Sequence, residues 1–482
     1  MTAPAAPARP RTRWLVLAVL CLAELVVVLD HTVLNVAIPT LTAELGADTA
    51  QVQWIINAYA LGQAGLLLAA GSAADRYGRR RILMAGLVVF GATSLAAASA
   101  SGPGALIAAR AGMGLGGALL ITGTLAVAVQ VFDAQERPKA IGIWAAVSAL
   151  GFASGPPLGG VVLAHASWSA IFLLNVPVVV VCLVAARALV PESRNPAGGR
   201  PDLAGALLAT AGTTGVVYAI IATDWRAAAA GAALLAAFLA WQRRARDPML
   251  NLALFRDRRF TGAVTGIVLI TFGSSGALFL LTMQLQFVGE HDPLQAGLRM
   301  APFALSVVVL NASGVAARLI RGLGAPLAIA GGMGLLAAGL VVVAQSGGDG
   351  YRSLLAGLLL MGTGCAVANP AIVEAVFSAV PPDDAGAGAG IEGTMTELGS
   401  SLGVAALGTL MQVRWSALLP AAAAADSLPA ALAAAGTAAE RDTVLATFAD
   451  ALRYGELAGA AAVLAGGCVT ALLIHLARRD AA

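Results

Sequence analysis

Fourteen apolar stretches, each long enough to cross a lipid bilayer, follow one another along this chain of 482 residues. A membrane-spanning helix needs about 20 predominantly apolar residues, and a chain in lipid must satisfy its backbone hydrogen bonds within itself. Only 11% of the residues are charged, where soluble proteins have about a quarter. The sequence therefore predicts an all-α polytopic membrane protein with 14 transmembrane helices. The spans are predicted at about 14–38, 51–74, 82–100, 104–131, 139–163, 168–189, 203–223, 226–244, 260–287, 293–317, 325–344, 353–378, 388–411 and 455–477.

The arginine and lysine residues alternate in density from one connecting segment to the next. With the N-terminus inside the cell, 22 of the 29 basic residues lie in cytoplasmic segments and five in external ones. Loops on the cytoplasmic side are enriched in Lys and Arg. We therefore expect a multi-pass protein of a bacterial cytoplasmic (inner) membrane, with both termini in the cytoplasm.

Two long connections divide the series of spans. A Pro/Gly/Arg-rich linker covers 190–202, and an Ala-rich external loop is predicted at 412–454. The predicted organisation is an N-terminal six-helix half at 1–189, a linker with two inserted helices (spans seven and eight) at 190–259, and a C-terminal six-helix half at 260–482. Transporters built from repeated halves bind substrate at the interface between them, near the bilayer midplane.

Two carboxylates, Glu24 and Asp30, lie within the first span. A charge at this depth costs about 2.5–3.5 kcal/mol on insertion scales and normally marks a transport pathway or a proton relay. Helical geometry puts Glu24, His31 and Asn35 on one stripe and turns Asp30 by about 120° from Glu24. We expect Asp30 to pair with Arg110 of span four and the stripe to face a cavity. Three alternatives remain: a static ion pair at Asp30, a protonated hydrogen-bonded Glu24, and a histidine that only packs.

Two short motifs occur in the N-terminal half. The connection after span two reads Gly71-Ser-Ala-Ala-Asp75-Arg76-Tyr77-Gly78-Arg79-Arg80-Arg81, a pattern able to pin neighbouring helix ends together or simply to supply cytoplasmic positive charge. Span five contains Gly151, Gly155, Pro156, Gly159 and Gly160. Glycines permit close helix approach, and prolines remove backbone hydrogen bonds and bend helices.

These stretches resemble a known family. The 71–81 loop is similar to the signature of the major facilitator superfamily, and 151–160 to its antiporter motif. The run Leu29-Asp30-His31-Thr32-Val33-Leu34-Asn35-Val36-Ala37-Ile38-Pro39 resembles the first-span signature of the fourteen-span drug:proton antiporter (DHA2) subfamily, and 247–255 and 391–399 also fit it. The resemblance covers nearly the whole chain and extends to the QacA- and EmrB-like multidrug exporters.

The resemblance implies the major facilitator fold, with two six-helix halves and an inserted helix pair. It also implies export of cationic or amphipathic drugs in exchange for protons, by alternating access. For proton coupling we single out Asp30, Arg110, Glu24, Glu392 and Glu397. For substrate binding we single out Glu24, His31, Asn35, Trp54, Asn57, Tyr59, Met283 and Met395. For gating we single out Gly71, Asp75, Arg76, Gly78, Arg79, Arg80, Gly151, Gly155, Pro156, Gly159 and Gly160.

Two other functions are compatible with this sequence. A dedicated exporter of one endogenous metabolite or antibiotic fits the sequence equally well, and a membrane sensor that does not transport is a remote alternative. An enzyme is not expected, because no nucleophile motif or Cys/His cluster occurs. The single lysine, Lys139, is not part of a Walker A loop. We expect no cofactor or metal, the proton gradient as driving force, no nucleic-acid partner, and a monomer in the lipid bilayer.

Overall fold

The chain forms long helices that pack side by side. The structure, a computed structural model, describes residues 10–133, 135–193, 201–346, 351–379, 385–419 and 427–480. Within those residues all regular secondary structure is helical. The helices are α1 Pro10–Leu45, α2 Thr49–Tyr77, α3 Arg79–Ala98, α4 Pro103–Val131, α5 Arg137–His165, α6 Ser169–Leu173, α7 Asn175–Leu189, α8 Leu203–Ala222, α9 Trp225–Gln242, α10 Arg258–Met283, α11 Pro293–Ala312, α12 Val315–Leu323, α13 Ala325–Gln345, α14 Tyr351–Ala379, α15 Ala385–Leu418, α16 Leu428–Ala434 and α17 Ala438–Asp480.

Eleven helical segments in the described part of the chain are long and apolar enough to cross a membrane. They correspond to eleven of the predicted spans. The predicted spans 139–163 and 388–411 lie within the helices α5 and α15, and the predicted span 226–244 overlaps α9, which ends at Gln242. The multi-pass, all-helical architecture is thus confirmed, and the total of fourteen spans stays a prediction.

Short polar side chains start many of these helices. Asp48 caps α2 by accepting a hydrogen bond from the backbone N–H of Gln51 at 2.7 Å, and the Gln51 side chain accepts one from the Asp48 backbone N–H at 3.1 Å. Such a reciprocal capping box satisfies two N–H groups that the first helical turn leaves unpaired. At α8, α9, α10 and α11 the N-cap aspartate side chain accepts one backbone N–H hydrogen bond from the first turn; these residues are Asp202, Asp224, Asp257 and Asp292.

Two pairs of helices form the largest contacts between the first and second halves of the chain. α2 packs against α15, and α5 packs against α11. The two partners of the first pair run antiparallel: Gln53 and Leu68 of α2 lie beside Gly408 and Gly390 of α15, respectively. Because α1 also contacts α10 and α11, the contact between the halves is formed by α1, α2, α5, α10, α11 and α15.

The two predicted inserted helices pack against each other, and α8 also contacts both α2 and α15. Leu61 of α2, Val217 of α8 and Ala405 of α15 form one apolar cluster. Asp202 fastens the start of α8 to the end of α9, because it accepts hydrogen bonds from Trp241 Nε1 at 2.8 Å and Gln242 Nε2 at 2.6 Å. The inserted pair therefore rests on the α2–α15 contact through α8.

The segment 412–454, predicted as an external loop, is mostly helical. α15 continues to Leu418, α16 follows, and α17 already begins at Ala438, while 420–426 lie outside the described residues. Alanine has the highest helix propensity of all residues, and the segment buries aromatic side chains: Trp415 packs edge-on against Phe448 at 5.3 Å between ring centroids. The described residues of this segment are therefore mostly helical, and its external position stays a prediction. In the predicted linker, 194–200 also lie outside the described residues.

Candidate functional site

Asp30 and Arg110 form an ion pair inside the N-terminal half, as we expected from the sequence. Asp30 is 3% exposed and Arg110 is 1% exposed, and Arg110 Nη1 contacts Asp30 Oδ2. Asn175, the first residue of α7, donates a hydrogen bond to Asp30 Oδ1 at 2.9 Å. A buried carboxylate is stable as a charge only when it is paired and hydrogen-bonded. Both oxygens of Asp30 thus have a partner.

Arg110 makes two further contacts with α2. Its Nε donates to the Ile55 carbonyl oxygen at 3.2 Å, and its guanidinium carbon lies 4.2 Å from the centre of the Tyr59 ring. A cation over an aromatic face is stabilised by the ring quadrupole, more strongly where water is excluded. The Tyr59 hydroxyl in turn donates to the Val27 carbonyl oxygen of α1 at 3.2 Å. Arg110 therefore joins α1, α2 and α4.

Glu397 of α15 contacts the other half of the chain. Gln63 of α2 donates to Glu397 Oε1 at 2.8 Å, and His31 Nδ1 of α1 lies 3.9 Å from Glu397 Oε2. The His31 ring also meets Tyr59 edge-on, with 5.4 Å between centroids. A series of polar and aromatic side chains thus runs from the Asp30–Arg110 pair through Tyr59 and His31 to a carboxyl group on the C-terminal half.

Glu24 is buried in a separate place, between α1 and α5. Ser148 of α5 donates to Glu24 Oε1 at 3.1 Å, and Glu24 Oε2 has no hydrogen-bond partner among the described residues. Asn35, also on the predicted stripe, borders a small cavity of about 10 Å³ beside Pro156 and Met300. The three stripe residues therefore have three different surroundings.

The glycines of span five face α1 and α11. Gly155 lies against the Thr32 side chain, and a Cβ on Gly159 would lie 2.9 Å from the Val33 carbonyl oxygen of α1. A Cβ on Gly160 would lie 2.5 Å from Cα of Leu294 in α11. Gly151 sits near Leu25 and Val28 of α1, and the carbonyl oxygen of Pro156 faces Gly297 of α11. The absence of side chains at these glycines lets α5 approach a helix of the other half.

The loop after α2 is fastened to the segment after α7. Arg79 binds Asp75 at 2.8 Å, and Arg80 Nε and Arg81 Nε lie 3.7 and 3.6 Å from Glu192 Oε2. The backbone N–H of Arg79 also donates to the Ser193 carbonyl oxygen at 2.9 Å. The loop thus pins two helix ends together, and Arg76 lies in the last turn of α2.

Replacing Gly78 with alanine should weaken this loop. Gly78 has φ +116°, a conformation costly for any residue with a side chain, and a Cβ there would lie 2.6 Å from Glu192 Oε1. We expect a loss of about 1–3 kcal/mol in stability, measured as a lower midpoint of thermal unfolding in detergent. Gly71→Ala is the matched control, because nothing lies within 4 Å of a Cβ at Gly71. Equal melting of both variants would contradict the prediction.

The remaining predicted residues are dispersed. Trp54 lies 6.2 Å from Tyr218 of the inserted α8, between ring centroids. Met283 is buried in an apolar core, and Met395 packs against the C-terminal core. Asn57 is fully buried in α2. Glu392 accepts a hydrogen bond from Thr396 at 3.2 Å.

Sequence reasoning missed several polar residues that the structure brings into or near this site. Gln63, Asn175 and Ser148 contact Glu397, Asp30 and Glu24, respectively. Glu192 holds the arginine loop, and Glu456 of α17 is 1% exposed with no partner for its Oε1 among the described residues. Each is a polar residue within or beside an apolar span, and that position is the signal that could have found it.

The chain matches known transporters along most of its length. The family model described as Major Facilitator Superfamily matches residues 20–404. Multidrug resistance protein Stp of Mycobacterium tuberculosis is 33% identical, covering 85% of this chain and 78% of that protein. Puromycin resistance protein pur8 of Streptomyces alboniger is 34% identical, covering 83% of this chain and 82% of that protein.

The fold also matches a solved structure. A bacterial homologue of the human lysosomal transporter Spinster, in an inward-facing conformation, superposes with a TM-score of 0.68 at 16% identity, covering 98% of this chain and 99% of that chain. At this identity the match supports the fold alone.

Proposed function

This chain belongs to the major facilitator superfamily and is a transporter rather than an enzyme, and on that premise we propose that it exports small molecules in exchange for protons. Its relatives include multidrug and antibiotic resistance proteins. The proposed cargo is a cationic or amphipathic drug or antibiotic, and the proposed driving force is the proton gradient, with no cofactor. We place the protein as a monomer of the fourteen-span DHA2 type in a bacterial cytoplasmic membrane, with both termini inside.

The observation that carries this proposal is the position of Glu397. It is 8% exposed, lies on a helix of the C-terminal half, and contacts His31 and Gln63 of the N-terminal half. A buried carboxyl group favours its neutral form, and a nearby cation favours its charged form. Binding of a proton and binding of a cationic cargo therefore compete at such a group, and this competition is the basis of an exchange cycle.

The proposed cycle uses that competition at the contact between the halves. With the site open to the cytoplasm, a deprotonated carboxyl group binds the cargo. After the halves reorient, protons from outside neutralise the carboxyl group and displace the cargo. Asp30, paired with Arg110, and Glu24, next to Ser148, are the other acids in the N-terminal half that can take part.

The test is substrate-driven proton movement in proteoliposomes. Purified protein with an internal pH dye is challenged with ethidium, a tetraphenylphosphonium salt and a neutral antibiotic. We expect a cation to release protons, and we expect Glu397→Gln, Asp30→Asn and Glu24→Gln each to weaken the response. Glu44→Gln is the matched control, because Glu44 is an exposed glutamate of α1. Coupled release that survives all three substitutions would contradict the cycle.

A second candidate is a dedicated exporter of one antibiotic. It is favoured by the name of pur8, which refers to a single compound. In the same assay, a response to one antibiotic and to neither ethidium nor tetraphenylphosphonium would support this narrower function.

A further inference from the structure

We propose that the contact between α2 and α15 contains a hydrated polar track, formed by Gln53, Asn57 and Ser401, that conducts protons to Glu397. This inference deepens the proposed function, because it names the route by which protons reach the exchange site. The track would take water and protons as its ligands. It lies on the side of Glu397 that points to the predicted external surface.

The register of the two helices places these residues together. Gln53 lies beside Gly408 near one end of the contact, and the Thr394 hydroxyl donates to the Ala64 carbonyl oxygen at 3.4 Å further along. Residues three, four or seven apart share one face of a helix. Asn57 is four residues from Gln53 and seven from Ala64, so it lies on the face of α2 that meets α15.

Ser401 occupies the corresponding face of α15. It is four residues from Glu397, which contacts Gln63 of α2, and seven from Gly408, which contacts Gln53. It is also four residues from Ala405, which packs with Leu61 of α2. In an antiparallel pair with this register, Asn57 and Ser401 lie within about one helical turn of each other.

The polar atoms along this face are buried without partners. Asn57 is 0% exposed and Gln53 and Ser401 are each 1% exposed. Among the described residues, Gln53 Oε1, both side-chain amide atoms of Asn57, Ser401 Oγ and Glu397 Oε2 have no hydrogen-bond partner. Buried polar atoms in proteins are nearly always hydrogen-bonded, either to protein or to ordered water. Several such atoms on one face therefore point to bound water between the helices.

On the other side of Glu397, the polar side chains in this contact already have partners: the Thr394 hydroxyl donates to the Ala64 carbonyl oxygen, and Glu392 accepts a hydrogen bond from Thr396. On that side, Leu67 and Leu68 of α2 pack against Gly393 and Gly390 of α15. The two leucine side chains offer water no hydrogen-bonding group, and a site needs about two to four polar partners to hold a water molecule. Among the described residues, the unpartnered buried polar atoms of this contact therefore lie from Glu397 toward Gln53, which is the arrangement that proton delivery from the predicted external side requires.

Glu397 has one oxygen available to receive a proton. Oε1 accepts the hydrogen bond from Gln63, whereas Oε2 faces His31 at 3.9 Å. The other titratable or charged groups that face Glu397 are Tyr59 of α2, Arg110 of α4, and Glu392 on its own helix. In the transfer, a hydronium ion in the track gives its proton to the carboxylate, which becomes a neutral carboxylic acid while water remains.

The first test is water accessibility, which does not depend on transport. Ser401→Cys is made in a variant whose four cysteines are replaced by alanine, and a small charged methanethiosulfonate reagent is added to proteoliposomes. Ala368→Cys is the control, because Ala368 is 0% exposed within the α13–α14 packing. We expect the Ser401→Cys thiol to be modified at least about tenfold faster than the control thiol, since the thiolate must meet the reagent in water. Equal, slow modification of both would overturn the track.

The second test separates the effect of the hydroxyl group at position 401 from the effect of side-chain volume. Ser401→Thr and Ser401→Val add nearly the same bulk, but only threonine keeps a hydroxyl group. We expect the valine variant to release protons about tenfold more slowly than the threonine variant when substrate is added. This effect is smaller than that of a group that transfers the proton directly. We expect both variants to bind labelled substrate equally well. Equal proton rates for the two variants would overturn the track.

The two tests distinguish the track from the proposed function. If the thiol of the Ser401→Cys variant is accessible but the protein moves no protons with any substrate, the exchange cycle is contradicted and the hydrated track is supported. If the wild type shows coupled proton release, but the thiol at position 401 is inaccessible and the valine and threonine variants have equal rates, the track is contradicted and the exchange cycle is supported.

Discussion

Arg110→Met is expected to destabilise the protein strongly and to abolish transport. The substitution leaves the Asp30 carboxylate buried at 3% exposure without its cation. Removing one partner of a buried ion pair typically costs about 3–5 kcal/mol, because the other charge stays uncompensated. We expect a much lower melting temperature in detergent and no substrate-driven proton release.

The double variant Asp30→Asn/Arg110→Met separates stability from transport. Neutralising both partners removes the uncompensated charge, so most of the lost stability should return. Asn175 can still form a hydrogen bond with an amide at position 30. If the pair takes part in proton coupling, transport remains absent in this stable protein. Recovery of transport together with stability would instead identify Asp30–Arg110 as a static structural pair.

The sequence was sufficient to predict this ion pair. A charge within an apolar span needs a partner of opposite sign in another span, and Arg110 is the basic residue well inside the N-terminal spans. Helical geometry then turns Asp30 away from Glu24. The helical architecture and the close approach at the glycines of span five follow from equally local rules.

The contacts of Glu397 could not be predicted in this way. Gln63 is neutral, so its position within a span carries a weaker signal than a charge does, and nothing in the sequence fixes the register of α2 against α15. The same holds for the α5–α11 pair, where glycines indicate close approach without naming the partner. The helical segment at 412–454 was missed because an Ala-rich stretch with charges has no span-like pattern, while its burial depends on tertiary contacts such as Trp415 with Phe448.

Gly160→Leu is expected to stop transport by pushing the two halves apart. A Cβ at this position would lie 2.5 Å from Cα of Leu294 and 2.6 Å from the Pro293 carbonyl oxygen, both of which are backbone atoms of α11. A leucine can be fitted there only if α5 or α11 moves. Overpacking of this kind typically costs about 1–3 kcal/mol, which a folded protein can withstand. The Gly160→Leu variant, however, cannot reach a conformation in which α5 and α11 touch. If the transport cycle includes that conformation, transport stops.

The matched control is Gly334→Leu in α13, where nothing lies within 4 Å of an added Cβ. Both variants are compared by size-exclusion profile in detergent and by substrate-driven proton release in proteoliposomes. We expect both to elute as folded protein and only Gly160→Leu to lose proton release. Because Pro156 of α5 faces Gly297 of α11 across the same contact, Gly297→Leu should reproduce the defect from the opposite helix. Normal transport by both the Gly160 and Gly297 variants would show that the close α5–α11 contact is not part of the transport cycle.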